Sequence, residues 1–414
     1  MSEAIVLGAG FAGVSAALHL QKRGWNTVLV DRNGIGRETS YGNAGIIQSE
    51  AVEPYGMPRD WQSLFAIATG TSNDVSYSLA TLPRHLPAIL RYWWHSAPAR
   101  HRRIAAAYAA IIRHATTEHE PLIAEAEAED LIQRGGFRVL FRSTAAFDNA
   151  LATARRLNAE YGVPYTALAA EDFLRAEPAL RSAGVGGVHW LSPWTVADPG
   201  ALAEAYGRLL VRLGGRIVSG DASTLSQTQT GGWRVLTEEG MIDAPHVVVA
   251  LGPWSAGVLS GFGYRFTMVR KRGYHRHYRS PDPLHLPIQD SANGYVLAPM
   301  RAGTRITTGA ELMGDAGLPA PSQLARAERA AAELMDLGAP VENAPWSGVR
   351  PCMPDMLPVV GAAPRHKGLW FHFGHGHQGL TLGPASARLL AELMTDDRPV
   401  VDPVPFSPDR LFRS

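Results

Sequence analysis

Gly8, Gly10 and Gly13 stand in a Gly-x-Gly-x-x-Gly spacing, Gly8-Ala9-Gly10-Phe11-Ala12-Gly13, between the apolar run Ala4-Ile5-Val6-Leu7 and a helix-forming stretch. Each glycine has its own task. The first permits a tight turn, the second lets backbone approach a pyrophosphate, and the third lets helix and strand pack closely. Amides at the helix start then face phosphate oxygens. A second strand, Thr27 to Val30, ends in Asp31, 18 positions beyond Gly13 and close to the ~20-residue offset of an acid that accepts a ribose hydroxyl. With strand, helix, second strand and acid all in place, the pattern predicts a dinucleotide site; the bland reading is a glycine-rich turn in an ordinary α/β domain.

A second constellation lies near the C-terminal end. The apolar strand Leu369 to Phe373 leads into Gly374-His375-Gly376-His377-Gln378-Gly379-Leu380-Thr381-Leu382-Gly383-Pro384, and a helix is expected from Ala385 to Met394, with Pro384 at its start. The glycine spacing recurs here, but no further strand with a ribose-binding acid follows it, so a second dinucleotide is not expected. A helix N-terminus aimed at a group that becomes anionic during reaction suits this segment better, and the pyrimidine edge of a flavin is such a group. His375 and His377 are either acid–base groups or hydrogen-bonded scaffold. No metal is expected, because the His-x-His pair lacks a neighbouring Cys, Asp or third His.

The rest of the chain must position these segments. At 414 residues it exceeds the ~250 to 300 at which one core splits, so two domains are expected. With 46% hydrophobic and 19% charged residues it can bury sizeable cores, and a net charge of +1 gives no reason to expect nucleic acid. The single cysteine, Cys352, excludes an intramolecular disulfide framework and fits a reducing, cytoplasmic setting. The nucleotide strand at residue 4 leaves no room for a signal peptide, and no run approaches the ~18 to 20 apolar residues of a membrane span. Leu82 to Ala128 reads as helical, with arginines and histidines set around Trp93 and Trp94; it is either a solvated face with buried tryptophans or a contact with the inner face of the cell membrane. Asp198-Pro199-Gly200 opens an amphipathic helix to Leu213, a β-meander is expected around Trp233 to Leu236, and a buried strand over Val247 to Leu251 runs into Gly252-Pro253-Trp254. Tyr264 to Tyr278, Gly294 to Pro299 and Arg305 to Gly309 read as strands of a second, antiparallel sheet, followed by a helix from Ser322 to Leu337.

Taken together, the N-terminal fingerprint with Asp31, the loop Thr39-Ser40-Tyr41-Gly42-Asn43-Ala44-Gly45, the element Gly348-Val349-Arg350-Pro351 ending in Pro358-Val359-Val360-Gly361, and Gly-His-Gly-His-Gln-Gly-Leu-Thr from Gly374 resemble the FAD-dependent D-amino acid dehydrogenase and glycine oxidase family. The resemblance extends to Gly135-Gly136-Phe137, Asp198-Pro199 and Lys271-Arg272-Gly273-Tyr274, nearly the whole chain. It implies an α/β flavoprotein with an FAD-binding Rossmann-like domain, its central sheet mainly parallel with a β-meander, and a substrate domain with a mixed sheet and helices. The expected ranges are 1–75, 145–258 and 346–414 for FAD, and 76–144 and 259–345 for substrate. FAD is expected to be non-covalent, because Cys352 directly follows Arg-Pro and does not match the attachment cysteine of sarcosine oxidase-like relatives. Its contacts are expected from Gly8, Gly10, Phe11, Ala12, Gly13, Asp31, Arg32, Thr39, Ser40, Asn43, Ala44, Gly45, Ile46, Ala222, Gly252, Trp254, Gly376, His377, Gln378, Gly379, Leu380 and Thr381.

The resemblance also implies that Arg350 binds a substrate carboxylate through its planar fork, with Tyr295 as a second contact, and that a hydride passes from the amino acid Cα to flavin N5. The imine formed hydrolyses to a 2-oxo acid, or persists if cyclic. Met353-Pro354-Asp355-Met356, Tyr41-Gly42 and histidines at 275 and 277 depart from the D-alanine-specialised pattern. They leave D-amino acids and cyclic or secondary ones, such as D-proline or hydroxy-D-proline, equally open. A quinone or other carrier is expected as electron acceptor. The alternatives are an oxygen-using glycine/sarcosine-type oxidase, the flavin-bearing subunit of a heteromeric opine or sarcosine dehydrogenase, and a purely structural flavin protein.

Overall fold

The computed structural model describes residues 2–59, 75–77, 82–312 and 321–412. Among them, eight strands form one sheet in the order Gly240–Ala244, Trp233–Thr237, Arg216–Gln227, Asn26–Asp31, Glu3–Leu7, His246–Val249, Leu369–Phe373 and Val359–Ala362. The five central strands run parallel, while the meander at one edge and the last strand at the other are antiparallel. Ile5, Val6 and Leu7 and Val247, Val248 and Val249 are wholly buried, as expected of parallel strands covered on both faces. Over one face lie helices Phe11–Gln21 and Gly379–Met394, packed against each other, with Pro98–Ile112, Ala115–Glu125 and Pro199–Arg212 beside them. Each wholly buried leucine of the C-terminal helix, Leu382, Leu389 and Leu390 among them, contributes on the order of 1.5–3 kcal/mol. Helix Pro199–Arg212 starts as its sequence predicts: the Asp198 side chain accepts the Ala201 N–H at 3.0 Å, and Pro199 occupies the first turn.

A second, mixed sheet holds Val75–Tyr77, Ala310–Leu312, Val269–Tyr278, Gly303–Thr308, Tyr295–Met300, Ile288–Asp290, Phe137–Phe141, Gly186–Trp190 and Tyr165–Ala169, with Trp346–Cys352 paired to Val269–Tyr278. Helix Ser322–Leu334 covers one face, where Leu324, Ala327 and Leu334 pack on Tyr274, Leu297 and Ile306. The two sheets are those of the expected fold class, but they divide the chain at other points. Tyr165–Ala169 and Gly186–Trp190, expected with the nucleotide unit, are strands of the second sheet. Helices Pro98–Ile112 and Ala115–Glu125, expected with the substrate unit, bury Tyr108, Ile111, Ile112 and Leu122 in the core of the first. Residues 60–74, 78–81 and 313–320 of those ranges lie outside the described residues.

Three local expectations change. Leu82 to Ala128 is three helices, Leu82–His95, Pro98–Ile112 and Ala115–Glu125. Trp93 and Trp94 are exposed rather than buried, each under an arginine, Arg59 at 3.7 Å and Arg100 at 3.4 Å from the ring centroid. The C-terminal helix begins at Gly379, with Pro384 inside it. Proline has no N–H to offer the carbonyl four residues back. That carbonyl, of Leu380, instead meets the buried His119 Nε2 at 2.7 Å, and His119 Nδ1 lies 2.8 Å from the Tyr206 hydroxyl. Among the described residues no helix is long and apolar enough to cross a membrane.

Candidate active site

A cavity of about 1310 Å³ runs from the carboxyl ends of the first sheet's parallel strands to one face of the second sheet. Ordinary small-ligand pockets hold ~300–1,000 Å³, so this one has room for a dinucleotide and a further small molecule. At its nucleotide end Gly8, Gly10, Phe11 and Ala12 form the wall. Gly8 has φ +99°, and a Cβ there would stand 2.6 Å from the Ala250 carbonyl oxygen. Gly13 lies behind the wall: its Cβ would meet the Gly8 carbonyl oxygen at 1.7 Å, so only glycine lets the helix rest on the turn. Asp31 uses both carboxylate oxygens locally, Oδ2 accepting the Ala9 N–H and Oδ1 the Asn33 N–H, each at 2.8 Å. The Arg32 guanidinium lies 5.6 Å from the Trp254 ring, and Ala222 and Gly252 line the same end. A glycine cradle, a helix start without acidic residues and a carboxylate at the next strand end fit the phosphates and ribose of FAD.

The middle of the cavity is walled by Thr39, Ser40, Asn43, Ala44 and Ile46. The Ser40 hydroxyl accepts the Phe11 N–H at 3.1 Å, and Thr39 Oγ1 donates to the Val349 carbonyl at 2.7 Å, so this loop joins the nucleotide helix to the strand carrying Arg350. Gly45 and Thr381, expected as cofactor contacts, sit behind the wall. A Cβ at Gly45 would be 2.4 Å from the Val196 carbonyl oxygen, and Thr381 Oγ1 accepts the Gln48 N–H at 3.1 Å. From the second sheet the buried Arg305 donates to the carbonyls of Tyr41 (3.0 Å) and Asn43 (2.6 Å). Its Nε donates to His277 Nε2 at 2.9 Å, and His277 Nδ1 meets Glu342 at 2.5 Å, which fixes a neutral ring with its proton on Nδ1. Trp346 lies over Gly42 and Gly348, where Cβ atoms would fall 1.8 and 2.0 Å from its ring, and it stacks on His275 with centroids 4.7 Å apart.

Gly376, His377, Gln378, Gly379 and Leu380 bring the start of the C-terminal helix to the cavity, with no acid in its first turn. His375 is scaffold: its Nε2 and that of His372 lie 2.9 and 2.8 Å from Ser386 Oγ, and burial draws its pKa down to about 4. The exposed surface of His377 belongs to the cavity wall; the protein packed around it, followed by Arg350 and Lys271, lowers its pKa to about 3. Gln378 Nε2 lies 3.1 Å from His377 Nε2 and donates to Gln48 Oε1 at 2.9 Å, while Gln48 Nε2 donates to Glu50 at 3.1 Å. An imidazole this acidic is a weak base near neutral pH. Glu50 is buried behind it, and desolvation raises its carboxyl pKa to about 8. Among the described residues no group of three or more His, Cys, Asp or Glu could hold a metal ion.

Arg350 closes the other end. Its Nη1 and Nη2 atoms donate to the carbonyls of Gly309 (2.6 Å) and Thr308 (3.0 Å), which leaves N–H groups for a further acceptor. It is partly exposed, onto the cavity, yet protein surrounds it closely enough for desolvation to lower its pKa. It has no carboxylate partner among the described residues. Tyr295 does not join it. The register pairs Val296 with Thr307, Thr307 with His275 and His275 with Trp346, and alternation puts these on the Arg350 face. Tyr295, one residue earlier, borders the cavity but packs its ring among Tyr274, Leu297 and Ile306, with Asp290 and Arg142 acting on its hydroxyl. Arg305, Trp346, Gln48 and Tyr92 were not singled out by the motifs as parts of the site. Two-residue alternation through Lys271-Arg272-Gly273-Tyr274-His275 was the available signal for Lys271, which lines the cavity with Gly273, while His275 on the same strand face is covered by Trp346.

A family model described as FAD dependent oxidoreductase matches residues 3–393. The chain is 30% identical to a D-amino-acid oxidase of Bradyrhizobium diazoefficiens, covering 98% of each chain. It is 32% identical to a D-amino acid dehydrogenase of Cereibacter sphaeroides over 96% of this chain and 93% of that one. Among solved structures, the glycine oxidase of Geobacillus kaustophilus superposes with a TM-score of 0.72 at 21% identity, covering 98% of both chains.

Proposed function

The chain belongs to the FAD-dependent oxidoreductase family, and from that premise we propose that it oxidises the carbon–nitrogen bond of an amino acid whose carboxylate is held by Arg350. A D-amino acid, or a cyclic or N-substituted one such as D-proline or a hydroxy-D-proline, is the substrate class this reading takes, in keeping with the relatives named above. One observation carries it: Arg350 lies at the wall of the cavity with its charge unmatched by any carboxylate among the described residues. Placing a guanidinium there is unfavourable unless an anion arrives. When bound, FAD supplies the two-electron oxidant that accepts the Cα hydride.

The chain's own part is positional. The carbonyls of Thr308 and Gly309 orient the Arg350 fork, so a carboxylate received there is fixed in direction as well as place. Arg305 and Thr39 hold the loop that separates this end from the nucleotide end. Neutral His377 and Gln378 present the start of the C-terminal helix without adding a charge. The imine released from a primary amine then takes up water and yields a 2-oxo acid and ammonia. No side chain acts as nucleophile, and the grip is assigned to Arg350 without Tyr295.

Substitution of Arg350 tests the reading. Arg350→Ala, and to a smaller degree Arg350→Lys, which keeps charge but not the planar fork, should lose turnover while the bound flavin spectrum stays intact. A near wild-type kcat/KM for every carboxylate-bearing substrate in Arg350→Ala would sink it. Flavin that stays with the acid-precipitated protein would instead overturn non-covalent binding.

We further infer a quinone or similar carrier as electron acceptor, met at a membrane surface. Support comes from helix Leu82–His95, whose Ile89 and Tyr92 line the cavity while its Leu86, Leu90, Trp93 and Trp94 are 47, 57, 39 and 54% exposed. From residue 75 to 117 the sequence has no Asp or Glu but six arginines. Exposed apolar side chains flanked by cations suit an anionic lipid interface. Substrate-reduced protein should reoxidise slowly in air and rapidly with a quinone analogue, and it should sediment with anionic vesicles less well after Trp93→Ser and Trp94→Ser. Reoxidation by oxygen as fast as by the dye would make it an oxidase. Turnover of the purified chain with a dye would exclude an obligatory partner subunit.

A further inference from the structure

Lys271 and Arg350 are directly opposed in the antiparallel pairing of Val269–Tyr278 with Trp346–Cys352. Opposed residues point to the same side of a sheet, and both of these line the cavity. Like charges opposite each other on neighbouring strands destabilise the pairing, so their placement calls for a compensating anion. The protein does not supply one among the described residues. Arg350 donates only to backbone carbonyls, and Lys271 lies against the face of Tyr92, 5.1 Å from its centroid. The acidic residues on the cavity wall, Asp31, Glu38 and Asp221, belong to the nucleotide end and not to this one. His377, on the neighbouring loop, feels both cations, so their fields overlap within one small region.

A single α-carboxylate meets one of these cations and leaves the other unmatched. We propose that Lys271 is a second anion contact and that the site takes amino acids carrying a second carboxylate, with Arg350 on the α-carboxylate and Lys271 on the distal one. The proposal rests on the amino acid oxidation inferred above for the identity of the first group, but the paired cations carry the second by themselves. The distal carboxylate can be borne on the Cα side chain or on the amine substituent, and the two are separated by the choice of probe.

The test uses the FAD-loaded protein and compares acids with their uncharged amides of equal shape. Binding is read first, from the change in the flavin absorption spectrum: glutarate should bind at least roughly tenfold more tightly than its monoamide, the fold-change expected of one charge-assisted contact. Lys271→Met should bring that ratio close to one, and Lys271→Arg should keep most of it. Anaerobic bleaching then reads substrates, D-glutamate against D-glutamine for a side-chain carboxylate and N-(carboxymethyl)glycine against its monoamide for an amine-borne one; each acid/amide ratio should fall in Lys271→Met. Equal binding of glutarate and its monoamide by the wild-type protein, or a ratio that survives Lys271→Met, overturns the proposal. So does a Lys271→Met protein whose resting flavin spectrum shifts while the ratio persists, since Lys271 would then serve the cofactor. If glutarate selectivity depends on Lys271 but no amino acid bleaches the flavin, the two-anion site stands and the oxidation reading fails.

Discussion

Gly13, Asp31 and Glu50 differ in how far their sequence context announces what they do. Gly13→Ala would put a methyl 1.7 Å from the Gly8 carbonyl oxygen, and no side chain can move to relieve a clash with backbone. Purified Gly13→Ala should therefore contain little or no FAD, read from its visible absorbance; wild-type flavin content would show that the turn yields. Asp31 spends both oxygens on the amides of Ala9 and Asn33, so Asp31→Ala loosens the turn as well as removing a ribose acceptor. FAD affinity should fall by about tenfold or more, the equivalent of ~1.5–3 kcal/mol, in a titration of the apoprotein. Glu50 carries no motif, and its character arises from burial. Its carboxyl titrates near 8 when folded and near 4.5 when exposed, so the unfolded chain releases this proton first. The stability it contributes is complete below about 4.5 and is lost as pH rises towards 8. Glu50→Gln should flatten that decline, seen as a smaller difference in thermal midpoint between pH 5 and pH 8 than in the wild type.

At the scale of elements, the C-terminal helix shows what local rules miss. Proline preference places a helix start at Pro384, yet tertiary contact extends the helix back to Gly379 because His119, far away in sequence, occupies the Leu380 carbonyl. His119→Phe should leave that carbonyl buried and unpaired, a loss of about 1–3 kcal/mol that lowers the thermal midpoint. An unchanged midpoint would mean that the helix tolerates the gap. The glycine fingerprint and the C-terminal loop were legible because their chemistry is backbone chemistry, written in consecutive residues. The Arg350 side of the site was legible only in part. Which face of a strand looks into the cavity depends on register, and register placed Val296 with Thr307 while turning Tyr295 towards helix Ser322–Leu334. Arg305 escaped notice because its partners, the carbonyls of Tyr41 and Asn43, are more than 260 positions away.

The whole molecule carries several histidines that its fold keeps neutral. Burial draws His19 to about 3, His119 and His375 to about 4 and His275 to about 2, well below the value near 6.5 of an exposed ring. Between about 6.5 and these values the unfolded chain binds protons that the folded one refuses, so stability falls with falling pH across that window. Denaturant midpoints should drop steadily from pH 6.5 to pH 4, more steeply than in a variant with His19 and His119 replaced by uncharged residues. The two-sheet plan was readable from alternating strand and helix patterns, whereas the assignment of segments to sheets was not. Helices Pro98–Ile112 and Ala115–Glu125 cover the first sheet although Phe137–Phe141, a strand shortly after them in the chain, belongs to the second.

Trp346 ties together positions that natural variation would otherwise sample separately. Its indole occupies the volume that any side chain at Gly42 or Gly348 would need, and stacking on His275 keeps it there. A lineage of such proteins can therefore change residue 42 or 348 only after residue 346 has shrunk, and the reverse order is closed. Descendants should inherit these positions as a block, so that a tryptophan at 346 foretells glycines at 42 and 348, and a smaller residue there marks the branch in which the floor of the site was free to diverge.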